Sequence, residues 1–67
     1  MEGTDVPIVE VTLAAGRTPE QLRRLISAMT TAVSESISAP PERIRVIIRE
    51  VPLTHFAAGD ITLAERH

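Results

Sequence analysis

An α/β (α+β) fold is predicted for this chain: one β-α-β unit with parallel strands and a short C-terminal hairpin or arm, assembled as an oligomer. Three observations predict it. Two short apolar stretches, Pro7–Leu13 and Ile44–Val51, alternate with period two, and a single stretch of helical periodicity lies between them. That stretch is long enough to act as a crossover, which joins the strands in parallel with a right-handed connection. Finally, 67 residues without a cysteine form one domain (1–67) whose core is marginal alone, and self-association is the remaining support for so small a scaffold.

Pro7 opens the first strand, Pro7-Ile8-Val9-Glu10-Val11-Thr12-Leu13. Val9, Val11 and Leu13 share one face, and Ile8, Glu10 and Thr12 share the other. Ala14-Ala15-Gly16-Arg17 is predicted as the loop that ends it. Thr18 then has the character of an N-cap, with Pro19 at the first helical position and Gln21 placed to complete a capping box. Glu20 puts negative charge in the first turn, where the helix dipole favours it. Leu22, Leu25, Ile26, Met29, Val33 and Ile37 form one apolar stripe, and Ala28 and Ala32 allow close packing beside it. Pro40-Pro41 stops the helix, because a residue before proline is pushed out of helical geometry. The helix is therefore predicted from Pro19 to about Ile37. In the second strand Ile44, Val46 and Ile48 face one way and Arg45, Ile47 and Arg49 the other, until Pro52 ends the ladder. One helix covers one face of a two-stranded sheet, and an uncovered parallel sheet is rare. The face carrying Ile8 and Ile47 is predicted to be covered by a second copy of the chain. Phe56 to Thr62 is read as a small hairpin or an arm reaching onto a neighbour.

Composition excludes several functions. The formal net charge is −2 and Phe56 is the one residue among Phe, Tyr and Trp, so the basic footprint and stacking surfaces of a nucleic-acid binder are missing. No apolar run has the length of a membrane span, and no signal peptide is read ahead of the first strand; a soluble, cytoplasmic protein is expected, with no membrane partner. Without cysteine there is no thiolate, and His55 and His67 are far apart in sequence, so no metal site is predicted.

The residues of chemical interest have ordinary readings too. A proline at a strand start is usually a tolerated edge position. Arg17 after a glycine reads as a solvated loop residue, and Arg45 and Arg49 could pair with Glu10 or Glu50 across strands. Phe56 reads as a packing anchor, His55 as an exposed or interface residue without chemistry, and Glu50 as the end of the strand in a salt link. One property of Pro7 goes further. At a chain terminus its nitrogen would be a secondary amine, hence a base; behind Val6 it is a tertiary amide with no lone pair to accept a proton.

Taken together, these pieces resemble the 4-oxalocrotonate tautomerase family, small β-α-β subunits of the tautomerase superfamily. The resemblance runs from Pro7 to about Arg66. It is carried by the opening Pro7-Ile8-Val9-Glu10-Val11, the capped loop Gly16-Arg17-Thr18-Pro19-Glu20-Gln21, the strand Arg45-Val46-Ile47-Ile48-Arg49-Glu50, and His55-Phe56 with Gly59 following. It implies a proton-transfer enzyme acting on enols and unsaturated 2-hydroxy or 2-keto acids such as 2-hydroxymuconate. The implied roles are Pro7 as base, Arg45 holding the carbonyl or enolate oxygen, Arg17 binding the substrate carboxylate, and Phe56 as an apolar wall. No cofactor is implied, and the implied assembly is a homo-hexamer, a trimer of dimers.

The chain departs from the family pattern in two places. Met1-Glu2-Gly3-Thr4-Asp5-Val6 stands ahead of the proline; valine codons such as GUG can initiate translation in bacteria, and a start at Val6 followed by initiator removal would free Pro7. In the tail Asp60 takes the place of a second glycine, and with Ala57, Ala58 and the small Ala14 this points to a roomier pocket. Two alternatives stand beside the tautomerase reading. One is a superfamily hydratase or dehalogenase, for which Glu10 and Glu50 are the available acids or bases. The other is a non-catalytic oligomerising module with Pro7 permanently capped.

Overall fold

The structure, a computed structural model, describes residues 6–66; residues 1–5, most of the extension ahead of Pro7, and residue 67 lie outside the described residues. Strand β1 is Ile8–Ala14, helix α1 is Pro19–Ile37 and strand β2 is Arg45–Val51. The two strands pair in parallel, in a register running from Ile8 beside Arg45 to Ala14 beside Val51. A 3-10 turn at Leu53–His55 leads into an antiparallel hairpin of β3, Ala57–Ala58, and β4, Ile61–Thr62, and a second turn follows at Ala64–Arg66. The predicted β-α-β unit and tail hairpin are both present.

The helix begins where local chemistry says it should. The Thr18 hydroxyl accepts from the Gln21 N–H at 3.1 Å, and the Gln21 side-chain oxygen accepts from the Thr18 N–H at 2.9 Å. Two of the donors left over at a helix start are thereby satisfied by each other's residues. At the other end Ser38 takes a left-handed conformation, φ 60 and ψ 32, and the Ser34 hydroxyl donates to the Ala39 carbonyl at 2.8 Å. The helix bounds match the prediction because caps act over three or four residues and can be read locally.

Strand ends differ from the expectation by one residue. Ala14 belongs to β1 rather than to the loop, since it still lies opposite Val51. Ile44 lies outside β2, because its N–H closes a 3-10 turn on the Pro41 carbonyl at 3.1 Å. Pro7 also lies just outside β1, yet its carbonyl accepts the Arg45 N–H at 2.9 Å and so extends the ladder by one bond.

Packing follows the predicted faces. Val9, Val11 and Leu13 of β1 and Val46 and Ile48 of β2 are half-buried, while Ile8, Glu10, Thr12, Arg45, Ile47 and Arg49 are exposed. Leu22, Leu25, Ile26, Met29 and Val33 of α1 are half-buried as well. Ile37, expected in that stripe, is 62% exposed, and Ala28 and Ala32 also face outward. Among the described residues only Ile44 is buried, at 8% exposure. The radius of gyration is 15.4 Å, against about 11 Å for a compact chain of this length. A single helix on a two-stranded sheet closes no dry interior, so the apolar stripe is shielded from one side only. Among the described residues no helix is long and apolar enough to cross a membrane.

Two end effects can be measured. Thr18→Ala removes half of the capping box and is expected to lower stability by about 1 kcal/mol. Ser38→Gly relieves a left-handed side-chain residue and is expected to raise it by about 0.5–1 kcal/mol, the relief less glycine's entropy. Denaturant midpoints at one fixed protein concentration give both values, and a rise for Thr18→Ala or a fall for Ser38→Gly would contradict these assignments.

Candidate active site

Parallel pairing puts both strand starts at one end of the sheet. Pro7 and Arg45 meet there through the backbone bond from the Arg45 N–H to the Pro7 carbonyl. Pro7 is half-buried and Arg45 is exposed. The Arg45 guanidinium leans back along its own chain, its Nη1 donating to the Glu42 carbonyl at 3.2 Å. Glu42 was not among the residues singled out from sequence; a carbonyl acceptor in a turn carries no side-chain signature. This bond turns the cation along the Pro41–Arg43 turn, close to the end of the sheet where Pro7 sits.

Arg17 and Phe56 belong to segments at the other end. Arg17 is exposed in the loop between β1 and α1, and the neighbouring Ala15 N–H is tied to the Val51 carbonyl at 2.8 Å. A strand of this length at about 3.3 Å per residue sets that loop roughly 20 Å from Pro7. Phe56 follows the turn that leaves β2, extended at φ −122 and ψ 110 and 38% exposed. Among the described residues no hydrogen bond links Arg17 or Phe56 to Pro7 or Arg45, and these residues enclose no cavity. The sequence-predicted set therefore divides into two pairs, one contributed by each end of the sheet.

Other polar residues of the strands are accounted for on the uncovered face. Arg49 Nη1 lies 3.2 Å from Glu10 Oε1, and both side chains are more than half exposed. The pairing expected for Arg49 is present, on the diagonal between strands, and at this exposure contributes about 0–1 kcal/mol. Glu50 makes no ion pair among the described residues, so the salt link expected for it is absent. It is exposed near the strand's end, with the cations of β2 on other rows of the sheet.

The hairpin holds Phe56 by its backbone. The Leu63 N–H donates to the Phe56 carbonyl at 2.8 Å. Gly59 and Asp60 both have positive φ, 59° and 71°, as a two-residue hairpin turn of the primed type requires. Asp60 can replace a glycine there because a short polar side chain tolerates the left-handed region better than a branched one. Glu65 is a further residue that sequence reasoning did not single out: its Oε1 accepts from the Thr62 N–H at 2.8 Å and from the Thr62 hydroxyl at 3.1 Å, while the Thr62 hydroxyl accepts from the Glu65 N–H at 3.2 Å. The signal was available, since Thr62-Leu63-Ala64-Glu65 has the spacing of a capping box.

Comparison with known proteins agrees with this architecture. A family model described as tautomerase enzyme matches residues 7–66, opening on Pro7. The 2-hydroxymuconate tautomerase of Pseudomonas putida is 44% identical over 54 residues, 81% of this chain and 86% of that protein. Among solved structures, TomN, a 4-oxalocrotonate tautomerase homologue in the tomaymycin biosynthetic pathway, superposes with a TM-score of 0.85 at 38% identity, covering 90% of this chain and 92% of its own. A heterohexameric 4-oxalocrotonate tautomerase from Chloroflexus aurantiacus J-10-fl superposes with a TM-score of 0.84 at 34% identity, covering 91% and 98% of the two chains. The parallel strands, the capped crossover helix and the tail hairpin, matched from Pro7 to Arg66, make this chain a member of the 4-oxalocrotonate tautomerase family and its activity that of an isomerase.

Proposed function

We propose that the chain is a tautomerase of unsaturated 2-hydroxy or 2-keto acids, 2-hydroxymuconate being the representative substrate, and that Pro7 is its base once the proline nitrogen is free. The observation that carries this reading is the bond from the Arg45 N–H to the Pro7 carbonyl, which keeps a potential base and a cation at one end of the sheet. The family match opening on Pro7 supports it. In the proposed reaction the secondary amine accepts the enol hydroxyl proton as the oxygen electron pair closes to a carbonyl. The conjugated double bonds shift, and the ammonium returns its proton to a distal carbon. Nothing else is consumed.

Each side chain has a definite task in that scheme. Arg17 grips the substrate carboxylate, for which a planar guanidinium fork is better suited than an ammonium. Arg45 offsets negative charge on the enolate oxygen as it develops, the kind of stabilisation that lowers a barrier because it is strongest in the transition state. Phe56 excludes water. Neighbouring cations and an apolar wall both disfavour a protonated amine, and so lower the proline pKa towards the ambient range where a proton shuttle works best.

The division of these residues between sheet ends implies that the site is composite. One subunit supplies Pro7, and Arg17 and Phe56 arrive from another copy. Covering of the Ile8 and Ile47 face by a neighbour, with both residues more than 40% exposed in the single subunit, fits a homo-oligomer, with a hexamer built as a trimer of dimers as the proposed state. The heterohexamer among the relatives supports a count of six subunits. Of the two carboxylates a hydratase or dehalogenase could use, Glu10 is paired with Arg49 on the exposed sheet face and Glu50 has no ion pair among the described residues.

Two experiments test this function. Ketonisation of 2-hydroxymuconate or phenylenolpyruvate is expected to proceed at a clear rate for a chain starting at Pro7, and near background when Val6 remains joined to the proline nitrogen. Equal rates for both forms would rule out the amine mechanism, and two inert forms would establish the assembly-module reading instead. Separately, Arg45→Ala is expected to lower kcat by about 10²–10³, the scale for one lost oxyanion partner. Its denaturation midpoint should move by no more than about 1 kcal/mol, since the exposed bond to the Glu42 carbonyl is what folding loses. Undiminished turnover in that variant would remove Arg45 from the mechanism.

A further inference from the structure

We propose that Glu65 and Arg66 are positioning residues, which clamp the tail hairpin so that Phe56 is held as a fixed wall of the site. The inference rests on the reading of Phe56 given above and extends it to two side chains that touch no substrate.

Within the single subunit the hairpin has little else to hold it. Its strands are two residues each, and three of the four strand residues, Ala57, Ala58 and Ile61, are exposed. A two-stranded ribbon this short is marginal by itself in water. Its neighbours within the subunit are chiefly the two 3-10 turns that flank it, not the β-α-β unit. Its two arms are joined by backbone bonds, and polar bonds from the last turn brace the returning arm and reach across to the outgoing one. The Glu65 carboxylate takes both the N–H and the hydroxyl of Thr62, and the Thr62 hydroxyl accepts the Glu65 N–H in return. Bonds to an ionised acceptor are stronger than those between neutral groups. Thr62 is thereby fixed at the end of β4, directly before Leu63, whose N–H holds the Phe56 carbonyl at 2.8 Å. Arg66 Nη2 then crosses to the Ala58 carbonyl at 3.4 Å, a second link from the tail to the segment carrying Phe56. The two side chains act on both ends of one short element: Glu65 on its returning strand and Arg66 on its outgoing one.

Opening the clamp should leave the proline, the arginines and the sheet unchanged, but let the ring wander. Because Phe56 is the one Phe, Tyr or Trp in the chain, its ring resonances are unambiguous in a proton spectrum of the full-length protein. In Glu65→Ala, amide exchange of Leu63 is expected to rise about two- to tenfold, the scale of one lost hydrogen bond, and the Phe56 ring signals to move towards free-ring averages. On the form that turns over, KM is expected to rise by a similar factor with kcat nearly constant, because ground-state and transition-state binding lose the wall alike. Glu65→Gln, which keeps an acceptor oxygen, should restore most of both values. Arg66→Ala should show the same pattern to a smaller degree, its bond being longer.

Phe56→Ala separates the two levels. If Phe56→Ala raises KM while Glu65→Ala and Arg66→Ala leave Leu63 exchange and KM unchanged, the clamp is wrong and the wall stands. An unchanged KM in Phe56→Ala removes the wall, and the clamp's role with it. A fall in kcat at constant KM in Glu65→Ala, without rescue by glutamine, would mark a general loss of folded protein and overturn the proposal.

Discussion

Parallel pairing of β1 and β2 is the constraint on which the rest of the molecule depends. Two parallel strands need a long crossover, and here the capped helix α1 provides it, covering the face of Val9, Val11, Val46 and Ile48. The same geometry aligns the strand starts at one end and the strand exits at the other. The start end holds Pro7 against Arg45 by one backbone bond, and the exit end sends out the Arg17 loop and the segment leading to Phe56. An antiparallel pair would have mixed starts with exits and brought a different set of side chains together. The separation of these candidate residues is thus a direct consequence of how the sheet is hydrogen-bonded.

The energetics lead to the same place. With Ile44 the one buried residue among those described, the subunit shields little apolar surface, and hydrophobic burial is the main favourable term in folding. Its visible local supports are small: a capping box at Thr18, an exposed ion pair between Glu10 and Arg49, and a tail closed by Glu65. Each is worth about 1 kcal/mol or less in such exposed settings. Apolar residues left on the open sheet face, Ile8 and Ile47, are where further burial remains to be gained.

Legibility from sequence followed the range of the interactions involved. Thr18, Pro19 and Gln21 announced the helix start because a cap is a three-residue affair, and the period-two alternation assigned Ile8–Leu13 and Arg45–Arg49 to their faces. Ends were less certain. Ala14 remains in β1 because Val51 lies opposite it, and Ile44 leaves β2 because the Pro41 carbonyl takes its N–H; both depend on a partner that the local pattern does not name. Ala28 and Ala32 fit a packing reading by type but face outward, since no second element lies against that side of α1. The bonds between Thr62 and Glu65 are legible in the capping-box spacing of Thr62-Leu63-Ala64-Glu65.

By itself, the order of residues determined which segments become strand, helix and hairpin, which face of each is apolar, and which side chains have chemistry to offer. Those properties depend on neighbours within a few positions along the chain, where backbone periodicity fixes geometry. Only the tertiary structure decided which of those side chains meet. It set Pro7 beside Arg45, kept Arg17 at the far end of the sheet, and hung Phe56 on an arm closed by its own tail. Contact between distant residues is decided by strand direction and register, and these arise when segments pair across dozens of residues of intervening chain.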